Sequence, residues 1–167
     1  MIDALTLPAP LPEAGLEIRR AHLADLEALI RLMSDDPISA ARGDVSDPAD
    51  EPLYRAALEA VVADPSNELV VAVDPDGVVV GTLQLTRIPG LARRGSTRLL
   101  VEAVRVASDR RSAGIGSALM RWVMEVVAPS TDAQIVQLTS DAKREAAHRF
   151  YERLGFDRSH LGFKYLV

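Results

Sequence analysis

The sequence predicts a single mixed α/β domain of the α+β kind, and three observations carry that expectation. Apolar residues change between helical spacing and strand alternation in the order β-α-α-β-β-β-α-β-α-β. Three of those strands follow one another without an intervening helix, which argues against a run of βαβ units. The chain is 167 residues long and 48% apolar, enough for one substantial core.

Each element has its own signal. Residues 1–15 contain three prolines and a glycine, which oppose regular structure and predict an extended, loosely held lead-in to a domain spanning residues 16–167. Residues 16–19 form a short strand. Leu23, Leu26, Leu29, Ile30 and Met33 recur at helical spacing, and Asp35-Asp36-Pro37 ends that helix. Residues 38–52 are polar and aperiodic, which predicts a long loop of the kind that carries function. A second helix is predicted over 52–62 with Leu53, Ala57, Leu58 and Val61 inward. Residues 69–73 and 78–86 flank Asp74-Pro75-Asp76-Gly77 as a hairpin. A Gly/Pro/Arg loop at 87–95 precedes a strand over 97–107. A helix follows over 114–127, with Ile115, Leu119, Trp122, Val123 and Val126 apolar. The chain closes with a strand at 134–139, a helix at 143–154 stopped by Gly155, and a final strand at 161–167.

Composition narrows the chemistry. The net charge of −5 argues against a surface built to hold nucleic acid, though not against a local basic pocket. There is no cysteine, so disulfides, thiolate metal sites and cysteine nucleophiles are excluded. His22, His148 and His160 have no metal-ligand spacing. No stretch approaches 18 consecutive apolar residues, and the N-terminus lacks a basic region followed by an apolar one. The expectation is a cytoplasmic protein without membrane partners.

The most informative segment is VEAVRVASDRRSAGIGSALM, residues 101–120. An apolar strand leads into Arg110-Arg111, and Gly114 and Gly116 open an apolar helix. A first helical turn has unpaired N–H groups at the positive end of its dipole, and glycines admit a phosphate close to the backbone. A P-loop would need lysine after the second glycine, where Ser117 stands. A dinucleotide fingerprint would need glycine at Leu119. Arg-x-x-Gly-x-Gly remains, either as an anion site or as a strand-to-helix turn that needs glycines for packing.

Arg-Ser-Ala-Gly-Ile-Gly after VEAVRVASD resembles the acyl-CoA binding motif of the Gcn5-related N-acetyltransferases. LTSDAKREAAHRFYERLGF, residues 138–156, is similar to that family's strand–helix segment ending in a tyrosine and a Leu-Gly-Phe turn. The resemblance covers residues 97–167. It implies a mixed central sheet of six to seven strands flanked by about four helices, with acetyl-CoA held where two central strands splay apart. It further implies that Val104 and Val106 pair through their backbone with the pantetheine and the acetyl carbonyl. Arg111, Ser112, Ala113, Gly114, Ile115, Gly116 and Ser117 would wrap the pyrophosphate.

Acetyl transfer to an amine needs two proton movements: one off the attacking ammonium, one onto the departing thiolate. By resemblance Tyr151 donates to the thiolate, as a phenol of ordinary pKa about 10 can; its other reading is an amphipathic tyrosine packed at a helix end. Glu102 stands where relatives carry a glutamate acting directly or through water. With ideal alternation Glu102, Val104 and Val106 share one face, and a bulge would break that pattern. Glu102 is then either the base or a rim carboxylate holding a cationic substrate. His148, one turn before Tyr151, and Asp141 are secondary candidates, with helix capping the favoured reading of Asp141. Arg144 occupies the position where many relatives have asparagine.

For the acceptor, the loop from residue 37 to 52 and its approach are acidic (Asp35, Asp36, Asp44, Asp47, Asp50, Glu51), which suits a cation, whereas Arg87, Arg93 and Arg94 suit an anionic group. The segment from residue 141 onward is also similar to that of aminoalkylphosphonate acetyltransferases within the family. The expected activity is acetyl transfer from acetyl-CoA to a primary amine, of a small molecule first and of a protein or peptide second. A non-catalytic acyl-CoA sensor is the third reading. The terminal strand could pair with a second chain, so a homodimer is the expected assembly.

Overall fold

The structure is a computed structural model that describes Ile2 and residues 5–167. The chain divides into two compact units, Met1–Gln137 and Leu138–Val167. The sheet runs in the order β1-β2-β3-β4-β5-β6, from β1 (Ala9–Leu11), β2 (Leu16–Arg20), β3 (Asn67–Val73), β4 (Val79–Ile88) and β5 (Thr97–Val106) to β6 (Ala133–Leu138). The first five strands pair antiparallel, each with the next, within a mixed sheet. β3 and β4 are rich in Val and Leu, and the Asp74–Gly77 turn joins them: Asp74 accepts from the Asp76 and Val78 amides, and Gly77 takes φ 82°.

Helices α1 (Leu26–Ser34), α2 (Pro37–Ala40) and α3 (Glu51–Ala63) lie between β2 and β3 in sequence. Leu26, Leu29, Ile30 and Leu32 of α1 and Leu58 of α3 pack with Val71, Val73 and Val79 into a core on one sheet face. After β4, residues Ala92–Gly95 form a short turn, α4, in which Arg93 and Arg94 are left-handed. Helix α5 (Ile115–Trp122) covers the opposite face and continues through a π-helical turn, Val123–Val127, into α6 (Ala128–Ser130). Gly81 of β4 admits α5: a Cβ there would lie 3.3 Å from Leu119 Cδ1 and 3.5 Å from Ile115 Cγ2. The second unit carries α7 (Glu145–Arg153) and its flanking turns.

Three expectations need correction. Part of the lead-in is ordered: β1 pairs with β2 across a turn closed by Gly15, and Ile2, Leu5 and Leu11 are buried. Pro10 is tolerated because β1 is the sheet edge, while Pro8 precedes the strand and Pro12 begins the 3-10 turn after it. Met1, Asp3 and Ala4 of that lead-in lie outside the described residues. In α3 the inward stripe is Tyr54, Leu58 and Val61, while Leu53 is 70% exposed, because the helix is rotated by one residue from the expected register. The final strand at 161–167 does not form. Its alternation is real, but a strand needs a hydrogen-bonding neighbour, and Leu161, Phe163 and Tyr165 stand 83%, 91% and 89% exposed.

Candidate active site

The site begins with an irregularity in β5. Gln84 pairs with Glu102 and Thr82 with Arg105, so Ala103 and Val104 together oppose Leu83. This is a β-bulge, and Ala103 takes φ 51° to make it. The bulge corrects the expected alternation. Residues directly across a ladder share a face; Glu102 and Arg105 therefore lie on the face of Thr82 and Gln84. Val106, opposite Gly81, lies on the α5 face. Glu102 and Val106 thus point to opposite sides. Glu102 is exposed, and no partner for its carboxylate occurs among the described residues.

The bulge also turns backbone groups out of the ladder. Val104 O accepts from the Arg105 guanidinium at 2.9 Å, and the same side chain donates to Ser39 Oγ of α2 at 2.9 Å. Val106 O accepts from Arg111 Nε at 3.3 Å. The two carbonyls assigned to the cofactor by resemblance are therefore both reached by arginines.

Past β5, residues Ser108–Arg110 make one 3-10 turn, and Ser112 (φ 66°) and Gly114 (φ 81°) reverse the chain into α5. Arg111, Ser112, Ala113 and Gly114 are exposed, whereas Gly116 and Ser117 are half-buried. Ile115 is buried against Gly81, so its side chain belongs to the core. The N–H groups of Ile115, Gly116 and Ser117 have no acceptor among the described residues, as expected of a free helix start. Beside this turn Arg110 pairs with Asp74 at 3.3 Å. Arg111 donates to Asp35 O at 2.6 Å, and the Ser108 amide donates to Asp35 Oδ2 at 2.6 Å. An open cleft of about 500 Å³ runs alongside, lined by Arg31, Asp35, Val79, Ala107, Ser108 and Arg110. Positive charge, free amides and small side chains meet at this turn, a combination that can hold an anion.

Tyr151 stands in the second unit, half-buried on α7 between Phe150 and Phe156, with ring centroids 5.0 and 5.8 Å away in edge-to-face contact. The Phe156 amide donates to Tyr151 O, and Gly155 (φ 92°) closes the helix. Asp141 closes the turn ahead of α7: its Oδ1 accepts from the Lys143 amide at 2.8 Å, and its carbonyl meets His148 Nε2 at 2.8 Å. His148 has a structural tie there. Sequence reasoning missed Arg105 and Ser39, and named Asp35 only for the acidity of its segment. Charge and size were visible in the sequence, but their meeting depends on chain segments up to 76 residues apart.

No helix among the described residues is long and apolar enough to cross a membrane. A strand with a bulge, an exposed glycine turn and a helix start with free amides thus lie next to one another in the chain. Residues 26–156 match the Acetyltransferase (GNAT) family, and the chain belongs to it. It is an acyl-CoA-dependent N-acetyltransferase. Among curated proteins, the chain is 29% identical over 147 residues to the aminoalkylphosphonate N-acetyltransferase of Salmonella typhimurium, covering 88% of each chain. Among solved structures it is similar to one described as a transcriptional regulator from Bacillus halodurans, with 37% identity and TM-score 0.82, covering 91% of this chain and 99% of that one. A Trypanosoma brucei acetyltransferase follows at 25% identity and TM-score 0.72, covering 91% and 99%.

Proposed function

We propose that the protein transfers acetyl from acetyl-CoA to the primary amine of a small molecule, by direct attack in a ternary complex. The observation that carries this reading is the exposed turn from Arg111 to Gly114, followed by the free helix-start amides of Ile115 to Ser117 and preceded by a bulged strand that presents Glu102 to solvent. The pyrophosphate rests on Arg111, Ser112, Ala113, Gly114, Ile115, Gly116 and Ser117, and the pantetheine runs beside the backbone of Val104 and Val106. For the second of these contacts the arginine side chains at 105 and 111 yield the carbonyls they hold.

The acceptor arrives as an ammonium. Glu102 takes one proton, directly or through water, and the nitrogen lone pair attacks the thioester carbon. The C–S bond breaks as the tetrahedral intermediate collapses, the Tyr151 hydroxyl gives its proton to the departing thiolate, and the second proton leaving the nitrogen restores the tyrosine through solvent. The products are an acetamide and free CoA. A curated relative that spans most of the chain supports aminoalkylphosphonates as the acceptor class. We further propose a cytoplasmic homodimer, supported by the unpaired apolar residues Leu161, Phe163 and Tyr165.

The test is CoA thiol release from acetyl-CoA against aminoalkylphosphonates, polyamines, amino acids, amino sugars and lysine peptides, with Tyr151→Phe alongside. Release stimulated by a small amine and reduced about 100-fold in the variant is expected. Stimulation by peptides alone moves the reading to a protein acetyltransferase. Saturable acetyl-CoA binding without any release makes the chain a sensor. Light scattering on the same samples reads the mass, and a monomer at every concentration overturns the dimer.

A further inference from the structure

A second polar feature lies on the face of the sheet that carries Glu102. Asn67 of β3 and Gln84 and Thr86 of β4 form one connected group. Gln84 Nε2 donates to Asn67 Oδ1 at 2.9 Å, Thr86 Oγ1 donates to the same oxygen at 2.7 Å, and Asn67 Nδ2 donates to Asp64 Oδ2 at 2.8 Å.

The direction of this chain is set by its far end. An ionised carboxylate only accepts hydrogen bonds. Hydrogen bonds from the Ser66 amide and from Asn67 hold the Asp64 carboxyl below its ordinary range, so it is ionised at neutral pH. Asn67 must then present its NH₂ to Asp64 and its oxygen to the other side. That oxygen orients both the Gln84 amide and the Thr86 hydroxyl as donors. Gln84 Oε1 is consequently turned away from Asn67, and it has no donor among the described residues. Gln84 is half-buried, and directly across the ladder from it stands Glu102, exposed and unpartnered. Two acceptors with no donor thus sit side by side, 4.5–5.5 Å apart at Cβ as neighbours across a ladder generally are.

We propose that Gln84 binds the acceptor: its side-chain carbonyl and the Glu102 carboxylate together receive the N–H groups of the acceptor's primary ammonium. The pair divides the work. Glu102 is basic and takes the ammonium proton; the neutral amide of Gln84 cannot, and keeps its N–H···O bond while the nitrogen attacks. Asn67 and Thr86 are positioning residues that stop the Gln84 amide from flipping and presenting an NH₂ to a cation. The inference rests on the acetyl-transfer reading and adds to it an acceptor with at least two N–H donors on the reacting nitrogen.

The experiment follows the Gln84 side-chain amide resonances of ¹⁵N-labelled full-length protein during titration with 2-aminoethylphosphonate, propylammonium and N,N,N-trimethyl-2-aminoethylphosphonate, with acetyl-CoA binding measured in parallel. Saturable shifts with the two primary ammonium probes and none with the trimethyl compound are expected. Gln84→Met should raise the Kd and KM of the amine about tenfold, the scale of one hydrogen bond to a charged group, and leave KM for acetyl-CoA unchanged. Thr86→Val, which keeps a β-branched strand residue, should give a smaller change of the same kind. Equal shifts with the trimethyl probe, no shift with any primary amine, or an unchanged amine KM in Gln84→Met overturns the proposal. In the last case continuing CoA release leaves the acetyltransferase reading intact; failure of acetyl-CoA to bind would remove that reading itself.

Discussion

The Arg111 guanidinium is already occupied by the protein's own oxygens. Asp35 O and Val106 O accept from it, and the Asp35 carboxylate stands 3.9 Å away. Roughly half of the side chain remains exposed, so a phosphate competes with groups that hold the arginine loosely. Arg111→Ala should therefore raise KM for acetyl-CoA about tenfold, the loss of one charge-assisted hydrogen bond, and leave KM for the amine near its original value. Initial rates at varied ionic strength check this, since the wild type should weaken with salt more steeply than the variant. Arg111, the glycines and Tyr151 were named as candidates from sequence because motif spacing is local. Gln84 and Asn67 were not. Each is an ordinary polar strand residue, and only the pairing of β3, β4 and β5 gathers them beside Glu102.

At the scale of elements, hydrophobic period located β2 to β6, α1, α3, α5 and α7 within a few residues, because each has an apolar stripe that its own sequence encodes. Period failed where a neighbour decides the outcome. The rotation of α3 depends on how Tyr54 and Leu58 pack into the core shared with α1, and the strand at 161–167 lacked a partner to pair with. The bulge in β5 has no local signature either, since alanine is a poor residue for the conformation it adopts. Packing of α5 on the sheet makes its own prediction. A Cβ on Gly81 would lie 3.2 Å from Arg105 O and 3.3 Å from Leu119 Cδ1. Gly81→Val should cost about 1–3 kcal/mol by overpacking, read from the denaturation midpoint. The turn proposed to hold the pyrophosphate begins α5, so acetyl-CoA affinity should fall in the same variant.

The molecule's response to acid is shaped by a part-buried ion pair early in the chain. Asp25 accepts from both terminal nitrogens of the Arg19 guanidinium at 2.7 and 2.8 Å and from the His22 amide at 2.8 Å, joining β2 to the start of α1. The Arg19 hydrogen bonds, against the opposing effect of burial and helped by the His22 amide, hold the Asp25 carboxyl below its ordinary value. A carboxyl depressed in the folded state stabilises fully above its unfolded pKa of about 3.9, and that contribution is lost as pH falls through the folded value. Asp25→Asn should cost about 2 kcal/mol at pH 7. Its melting temperature should then decline less steeply than the wild type's below about pH 4. Parallel curves for the two proteins would mean that the pair does not set the acid limit.

Ala103 has a consequence on an evolutionary timescale. Its left-handed backbone excludes branched side chains and suits glycine, asparagine or aspartate, whereas Val101, two residues earlier in the same strand and fully buried, suits the reverse. Descendants of this sequence that keep the fold must draw from two nearly disjoint alphabets at positions 101 and 103. A lineage that brought a valine to 103 would have to remake the bulge, and with it the exposed carboxylate beside it, before the gene could persist.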